Sequence, residues 1–351
     1  MSTLKTNTIS TNDANNVALS NQLNLKSYTT PNRDALTSVA GDMIYNETTK
    51  TVDFYNGSAW IPSSIEFEAD TLLVGGGGGG SSGIGGGGGG GSVLESTNST
   101  FIKGVSYQVT VGAGAAQTND NNIVGNTGSL SGFVDFAGGG GCGGAQNATA
   151  SQPPTHNGSG GGGGGGTNGP ANQTAGSAGA SIHGDSNAGG AGVQNQSGGG
   201  GGGAAAAGVA ASGTTAGNGG VGKASTITGA SVVYGSGGGG GTFSTSSGSV
   251  GTGGTNAGDG GYNAGTNNAA GTEGHAGTVN TGSGGGGSGG SKSPNFYYGY
   301  GGAGGSGIVI IRYLTADIAS YSQTGLTITA STDGSDTVLK ITAGTGQITF
   351  S

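Results

Sequence analysis

Three histidines, His156, His183 and His275, are the first residues to test for metal or acid–base chemistry. They stand far apart, without cysteine or carboxylate at ligand spacing, so each reads as a polar loop residue. Asp185 and Asp259 lie among glycines but do not recur at the period of calcium-binding nonapeptides, and no metal site is expected. Glu66 and Glu68 would share one face of a strand, an arrangement that suits a glycosidase pair only beside a sugar cleft. A single tryptophan in the chain argues against such a cleft. Cys142, the lone cysteine, sits inside a glycine run with nothing cationic beside it, which fits a buried small residue better than a reactive thiol. The spacing Gly-x-Gly-x-x-Gly occurs often and carries nothing, because no βαβ pattern surrounds it. No catalytic residue, no cofactor and no enzyme activity are therefore expected.

One cluster could bind rather than react. Phe296, Tyr297, Tyr298 and Tyr300 place four aromatics in five positions, directly before an apolar run. Aromatic faces suit sugar rings and protein interfaces alike, so these four are the candidate receptor or sugar-binding residues. The plainer reading is that they cover the edge of a sheet.

The elements that would position such a cluster have an unusual composition. Of 351 residues 90 are glycine, and only 7% are charged. A net charge of −8 leaves no basic stripe for phosphates, so nucleic acid is not an expected partner. The longest run of large apolar residues, Ile308 to Ile311, is far short of the roughly 20 needed to span a membrane as a helix. Met1 to Asn7 lacks the apolar core of a secretory signal peptide, which suggests assembly in a host cytoplasm followed by release into a virion or extracellular setting.

Three segments follow from the patterning. In 1–64, short polar strands precede Met43 to Tyr45 and Val52 to Tyr55, which flank a polar turn. Asn56-Gly57 then turns the chain into a third strand carrying Trp60. In 65–313, strands at 66–74, 101–102, 107–111 and 129–136 alternate with glycine runs, and Ile308 to Tyr313 closes the segment as a central strand. In 314–351, alternating Leu326, Ile328 and Ala330, an Asp333-Gly334 turn and two later apolar stretches read as a small separate β unit.

The glycine runs pose an energetic problem, since fixing glycine costs more backbone entropy than fixing any other residue and no side chain is gained by burial. Main-chain hydrogen bonds can offset that cost. A polyglycine II helix has three residues per turn and no internal hydrogen bonds, so its amides point outward to neighbouring helices. Runs of similar length, bracketed by strand or turn sequence, fit an ordered lattice better than flexible linkers.

Two resemblances follow. The stretch from Met43 to Trp60 resembles a short repeat in tail-fibre and other virion proteins of aquatic phages. Leu72-Leu73-Val74 running into glycine, Tyr107 to Gly114, and the closing Gly307 to Tyr313 resemble the glycine-rich domain shared by phage fibre proteins and the ectodomains of anaplastic-lymphoma-kinase-type receptors. The chain departs from those receptors in lacking their cysteines. The resemblance implies an all-β fold, a jelly-roll-like β-sandwich with inserted polyglycine II helices, flanked by small N- and C-terminal β segments. It further implies a structural appendage protein of a bacteriophage virion, homo-oligomeric with a trimer favoured. Such a protein would meet other virion proteins through its N-terminal segment and a host-surface glycan or protein through loops between glycine runs. A self-polymerising extracellular filament or matrix subunit, or an ice-binding protein, are the alternatives.

Overall fold

The computed structural model describes residues 24–63, 66–117, 125–145, 158–159, 185–244, 249–263, 271–290 and 299–351. They fall into two compact units, divided after Ile65.

The first unit is a four-stranded sheet in the order β1 (Ser27–Tyr28), β2 (Met43–Asn46), β3 (Thr51–Tyr55), β4 (Trp60–Pro62), with a short helix α1 (Thr30–Asp34) after β1. The hairpin and third strand expected from the sequence are β2, β3 and β4. Asn56 Oδ1 accepts from the amides of Ser58 at 2.9 Å and Ala59 at 2.8 Å, and Gly57 takes φ +99°, where glycine carries no steric cost. Tyr55 and Trp60 then pair across the turn at 5.4 Å between ring centres. The first predicted strands, before residue 24, lie outside the described residues.

The second unit is all-β. Its strands are β5 (Glu66–Val74), β6 (Val93–Ile102), β7 (Ser106–Thr110), β8 (Ser131–Phe133), β9 (Asp135–Ala137), a separate hairpin of β10 (Lys223–Ser225) and β11 (Val232–Tyr234), then β12 (Ile308–Leu314), β13 (Tyr321–Asp333) and β14 (Asp336–Phe350). The main sheet runs β6-β5-β12-β14-β7-β8-β9, with β13 paired to β14. Strand β14 folds this sheet over: Asp336 to Ile341 pair with β12, Thr345 to Thr349 pair with β7, and Gly344 lies between at φ +111°. A bend there, where β13 also shifts register, brings the two halves face to face as a nearly closed sandwich. Residues 314–351, expected as a separate unit, thus supply a central strand of the main sheet. The reason is non-local: the apolar positions of β14 are completed by β12 and β7, far away in sequence.

Alternation along β12 explains its apolar run. Val309, Ile311 and Tyr313 face a core shared with Phe67, Leu73, Phe101, Val109, Leu339 and Phe350, while Ile308 and Ile310 face a second core with Leu72, Val74, Val93, Ala204 and Tyr234. A strand buried on both faces reads as a continuous apolar stretch.

The glycine runs form a slab. Amides of residues 75, 78 and 81 donate to the carbonyls of 92, 89 and 86; those of 76 and 79 to 129 and 126; those of 77 and 80 to 305 and 302. Successive amides thus address three neighbours in turn, the period of a helix with three residues per turn. None of the glycines 75–80 or 85–91 has a positive φ. The run 85–92 is enclosed: its amides donate to 282–288, 138–144 and 199–202, and its carbonyls accept from 75–81, 238–241 and Ser159. Packing is close enough to exclude side chains. A Cβ added at Gly88 would stand 2.1 Å from Gly78 O, and one at Gly201 would stand 2.1 Å from Gly88 O. Cys142 lies fully buried in this slab.

Buried serines fasten the run ends. Ser92 Oγ accepts from Gly138 N at 2.7 Å, Ser131 Oγ donates to Val74 O at 2.6 Å and accepts from Gly112 N at 2.8 Å, and Ser288 Oγ accepts from Gly83 N at 2.8 Å. A short hydroxyl satisfies a backbone group where the lattice stops. Among the described residues, no helix is long and apolar enough to cross a membrane.

Candidate binding end of the glycine slab

The hydrogen-bond register gives every run a direction. One end of the slab is where the runs join the sandwich, at Val74, Val93 and Ile308. The run 75–80 leaves that end, and 302–305, antiparallel to it, returns to β12. By the same register 206–211, 258–263 and 282–289 run outward, and 198–203, 217–221, 251–254 and 272–278 run back. The chain therefore reverses repeatedly at the far end, at 81–84, 193–197 and 211–216.

Cross-links tie this end together. Gly83 N is held by Ser288 Oγ, Phe243 N donates to Gln196 O at 2.8 Å, and Asn263 N donates to Ser244 O at 3.0 Å. Thr272 and Tyr262 are doubly bonded: Thr272 N donates to Tyr262 O at 2.8 Å, and Tyr262 N to Thr272 Oγ1 at 2.7 Å. Ile84, 1% exposed and at φ +54°, plugs the centre, its side chain and that of Phe243 filling the space beside Gly290. A β-branched residue in the left-handed region is strained, and tight surroundings hold it there. These contacts make the far end a fixed base.

Of the aromatic cluster, Tyr300 lies at this end, 37% exposed, its carbonyl accepting from Gly274 N at 2.9 Å. Phe296, Tyr297 and Tyr298 lie outside the described residues, and so do His156 and His183. His275 sits within a lattice run, exposed, its amide donating to Asp259 O at 2.9 Å and its carbonyl accepting from Gly286 N at 2.8 Å. Asp185 pairs with Lys223 Nζ at 2.8 Å, and Asp259 Oδ1 accepts from Gly253 N at 2.8 Å. Glu66 and Glu68 share the exposed face of β5, as their spacing implied. Phe243, Tyr262 and Ile84 were not singled out from the sequence. Each is an isolated apolar residue in a low-complexity stretch, and only the lattice register brings them to one place.

Arg312 fixes the sandwich beside the β10–β11 hairpin. Its Nε donates to Asp336 at 2.8 Å, and its Nη1 to Asp333 at 2.8 Å and Ile227 O at 3.2 Å. Burial opposes its charge, but the two carboxylates outweigh it and raise its pKa above the ordinary arginine value. Burial pushes Tyr234 up to about 12, with Glu95 adding to the effect.

Residues 53–314 match the family described as a glycine-rich domain, and the chain belongs to that family. The matched span ends at Leu314, the last residue of β12. Strand β14, between β12 and β7, lies beyond it. No curated protein and no solved structure matches the chain.

Proposed function

We propose that this member of the glycine-rich domain family is a non-enzymatic structural subunit of a bacteriophage virion appendage, a fibre or tail tip. Its slab is the stiff body, and the connections at the far end contact a glycan or protein of the host surface. The observation that carries this reading is the shared axis of runs that alternate in direction, which gathers the reversals at 81–84, 193–197 and 211–216 at one end of a rigid block. Loops on a rigid scaffold can vary in sequence without cost to the fold, and binding residues concentrate on such loops. Residues 1–64 would join the subunit to other virion proteins, and self-association into a homotrimer would complete the appendage.

The test uses the labelled full-length chain on a panel of bacterial cells and isolated surface polysaccharides. Binding to a subset is expected, and Tyr297→Ala with Tyr298→Ala should weaken it at least tenfold with an unchanged melting temperature. Binding to no cell or polysaccharide would overturn the reading.

One observation favours a second reading, an open-ended filament. Among the described residues strand β13 pairs only with β14, and its 13 residues include no Lys, Arg or Pro, the residues that usually block strand addition. Mass photometry separates the two: a discrete trimer supports the appendage, and growth without limit supports the filament.

A further inference from the structure

The main sheet is not fully closed. Its two end strands, β6 and β9, approach each other without pairing, and the seam between them opens into a cavity of about 230 Å³. Three rings line it from within the sandwich. Phe101 and Phe133 stack at 5.4 Å between ring centres with 20° between planes, and Tyr107 stands edge-on to Phe101 at 5.3 Å.

The rest of the lining is polar, with Thr71 buried and Ser96 and Ser99 half-buried on the end strand. Register pairs Thr71 with Ser96 and Ala69 with Ser99, so Thr71, Ser96 and Ser99 share the inner face of the sheet with Leu73 and Phe101. Interior positions of an antiparallel sandwich are ordinarily apolar, because a buried hydroxyl costs free energy unless it is hydrogen-bonded. These three hydroxyls are instead grouped around one opening. A β-bulge near Asn98, at φ +51° with its amide on Asp70 Oδ1 at 2.9 Å, bends β6 at this point.

The rim carries a further outlier. Val134, reversing the chain between β8 and β9, has φ +61° and is 75% exposed, a strained backbone under an uncovered β-branched side chain. Asp135 beside it brings a carboxylate to the same mouth.

We propose that this cavity binds a single neutral pyranose ring. The rims of Phe101 and Phe133, whose faces cover each other, give the cavity an apolar floor for the C–H groups of a sugar, and hydroxyls grouped on one wall exchange hydrogen bonds with its hydroxyls. Pockets for drug-sized ligands run to about 300–1,000 Å³, so a smaller cavity takes one ring rather than an oligosaccharide. The Asp135 carboxylate, in a chain of net charge −8, selects against uronic and other acidic sugars. The site is separate from the far end of the slab and does not depend on the appendage reading.

Saturation-transfer NMR on the full-length chain tests it, with methyl glycosides of glucose, galactose, N-acetylglucosamine and glucuronic acid and with toluene as an apolar probe. At least one neutral glycoside should receive saturation on its ring protons, and the glucuronide should bind at least tenfold more weakly. Ser99→Leu, which fills the cavity with apolar atoms, should abolish sugar binding while the melting temperature holds or rises. Replacing the far-end turn at 212–215 with glycine and serine should leave binding intact, which distinguishes this site from the one proposed above. Binding of toluene but no glycoside, equal binding of the glucuronide, or sugar binding unchanged in Ser99→Leu would each overturn the proposal.

Discussion

The sandwich and the slab are built from one continuous chain and are held together in opposite ways. In the sandwich, Phe67, Leu73, Ile311 and Phe350 are buried, and backbone hydrogen bonds join each strand to at most two flanks. Its stability comes from apolar area removed from water, and hydrogen bonds keep the sheet in register. In the slab, side chains are nearly absent and each run is bonded on several sides. The main chain itself is the packing surface, and the absence of Cβ atoms is the structural feature. A core tolerates a smaller side chain at the cost of a cavity. A polyglycine lattice does not tolerate a larger one at most positions.

The largest expected effect tests that contrast directly. In Gly88→Ala the new methyl would lie 2.1 Å from Gly78 O and 2.6 Å from Gly78 C, both backbone atoms. No rotamer change removes the clash, because a Cβ has no torsion of its own. Separating the two runs strains the bonds Gly88 N to Gly285 O, Gly238 N to Gly88 O and Gly78 N to Gly89 O, all 2.8 Å long. Three orphaned pairs at about 1–3 kcal/mol each give a loss of roughly 5 kcal/mol. A denaturant midpoint lowered by that amount, or failure to fold, is expected; a shift below about 1 kcal/mol would mean the lattice yields.

A third way of holding a fold appears in the first unit, and acid separates it from the slab. Asp53 is fully buried and accepts from Thr51 Oγ1 at 2.6 Å, Arg33 Nη1 at 2.8 Å and Asn46 Nδ2 at 2.8 Å. Burial alone would raise its pKa, but these three donors together hold it below the usual carboxylate value. A depressed carboxylate contributes stability that is complete above its unfolded pKa of about 3.9 and is lost as pH falls through the folded value. The chain's single tryptophan, Trp60, reports this unit. Its fluorescence should change cooperatively as pH falls below about 4, before amide exchange in 75–91 accelerates. Asp53→Asn removes the acceptor of Arg33, which keeps Asp34 at 2.7 Å, and a cost of about 3 kcal/mol with a flattened acid transition is expected.

How far each region could be read from the sequence follows from what holds it. Strands β5 and β12 were legible because their apolar residues are consecutive or alternate within the strand, and β2 to β4 because Asn56-Gly57 marks the turn. The middle of β6, Glu95 to Thr100, is polar enough to pass for a loop, since the strand lies at an end of the sheet and its inner face carries Ser96 and Ser99. The β10–β11 hairpin is too short to show a period, and α1 is a single turn opened by Pro31. That glycine runs would pack was legible from their number and length. Their partners were not, because a run of identical residues carries no register. The register is set by serines and by residues such as Ile84 that fix where each run stops. The far end of the slab was therefore expected as loops and could not be assigned residues, and the inner hydroxyls of the cavity could not be given a face.

The smallest expected effect sharpens the contrast, because it lies in the same slab as the largest. Gly79 belongs to the same run as Gly78, and its φ is not positive. Yet a Cβ there would meet Ala115 Cβ and Ala116 O at 3.4 Å and Asn126 N at 3.5 Å, which is ordinary van der Waals contact. The neighbour on that side is a looser segment carrying alanines. Gly79→Ala should therefore cost nothing in packing and gain up to about 0.4–1 kcal/mol, by restricting the unfolded chain where the native backbone is compatible. Measured beside Gly88→Ala in the same denaturant titration, it distinguishes two accounts of the slab. If glycine is required only where a neighbouring backbone touches it, the two variants differ by several kcal/mol and in sign. If both destabilise alike, the runs need glycine for its conformational freedom rather than for close approach, and the contact-based account of the lattice fails.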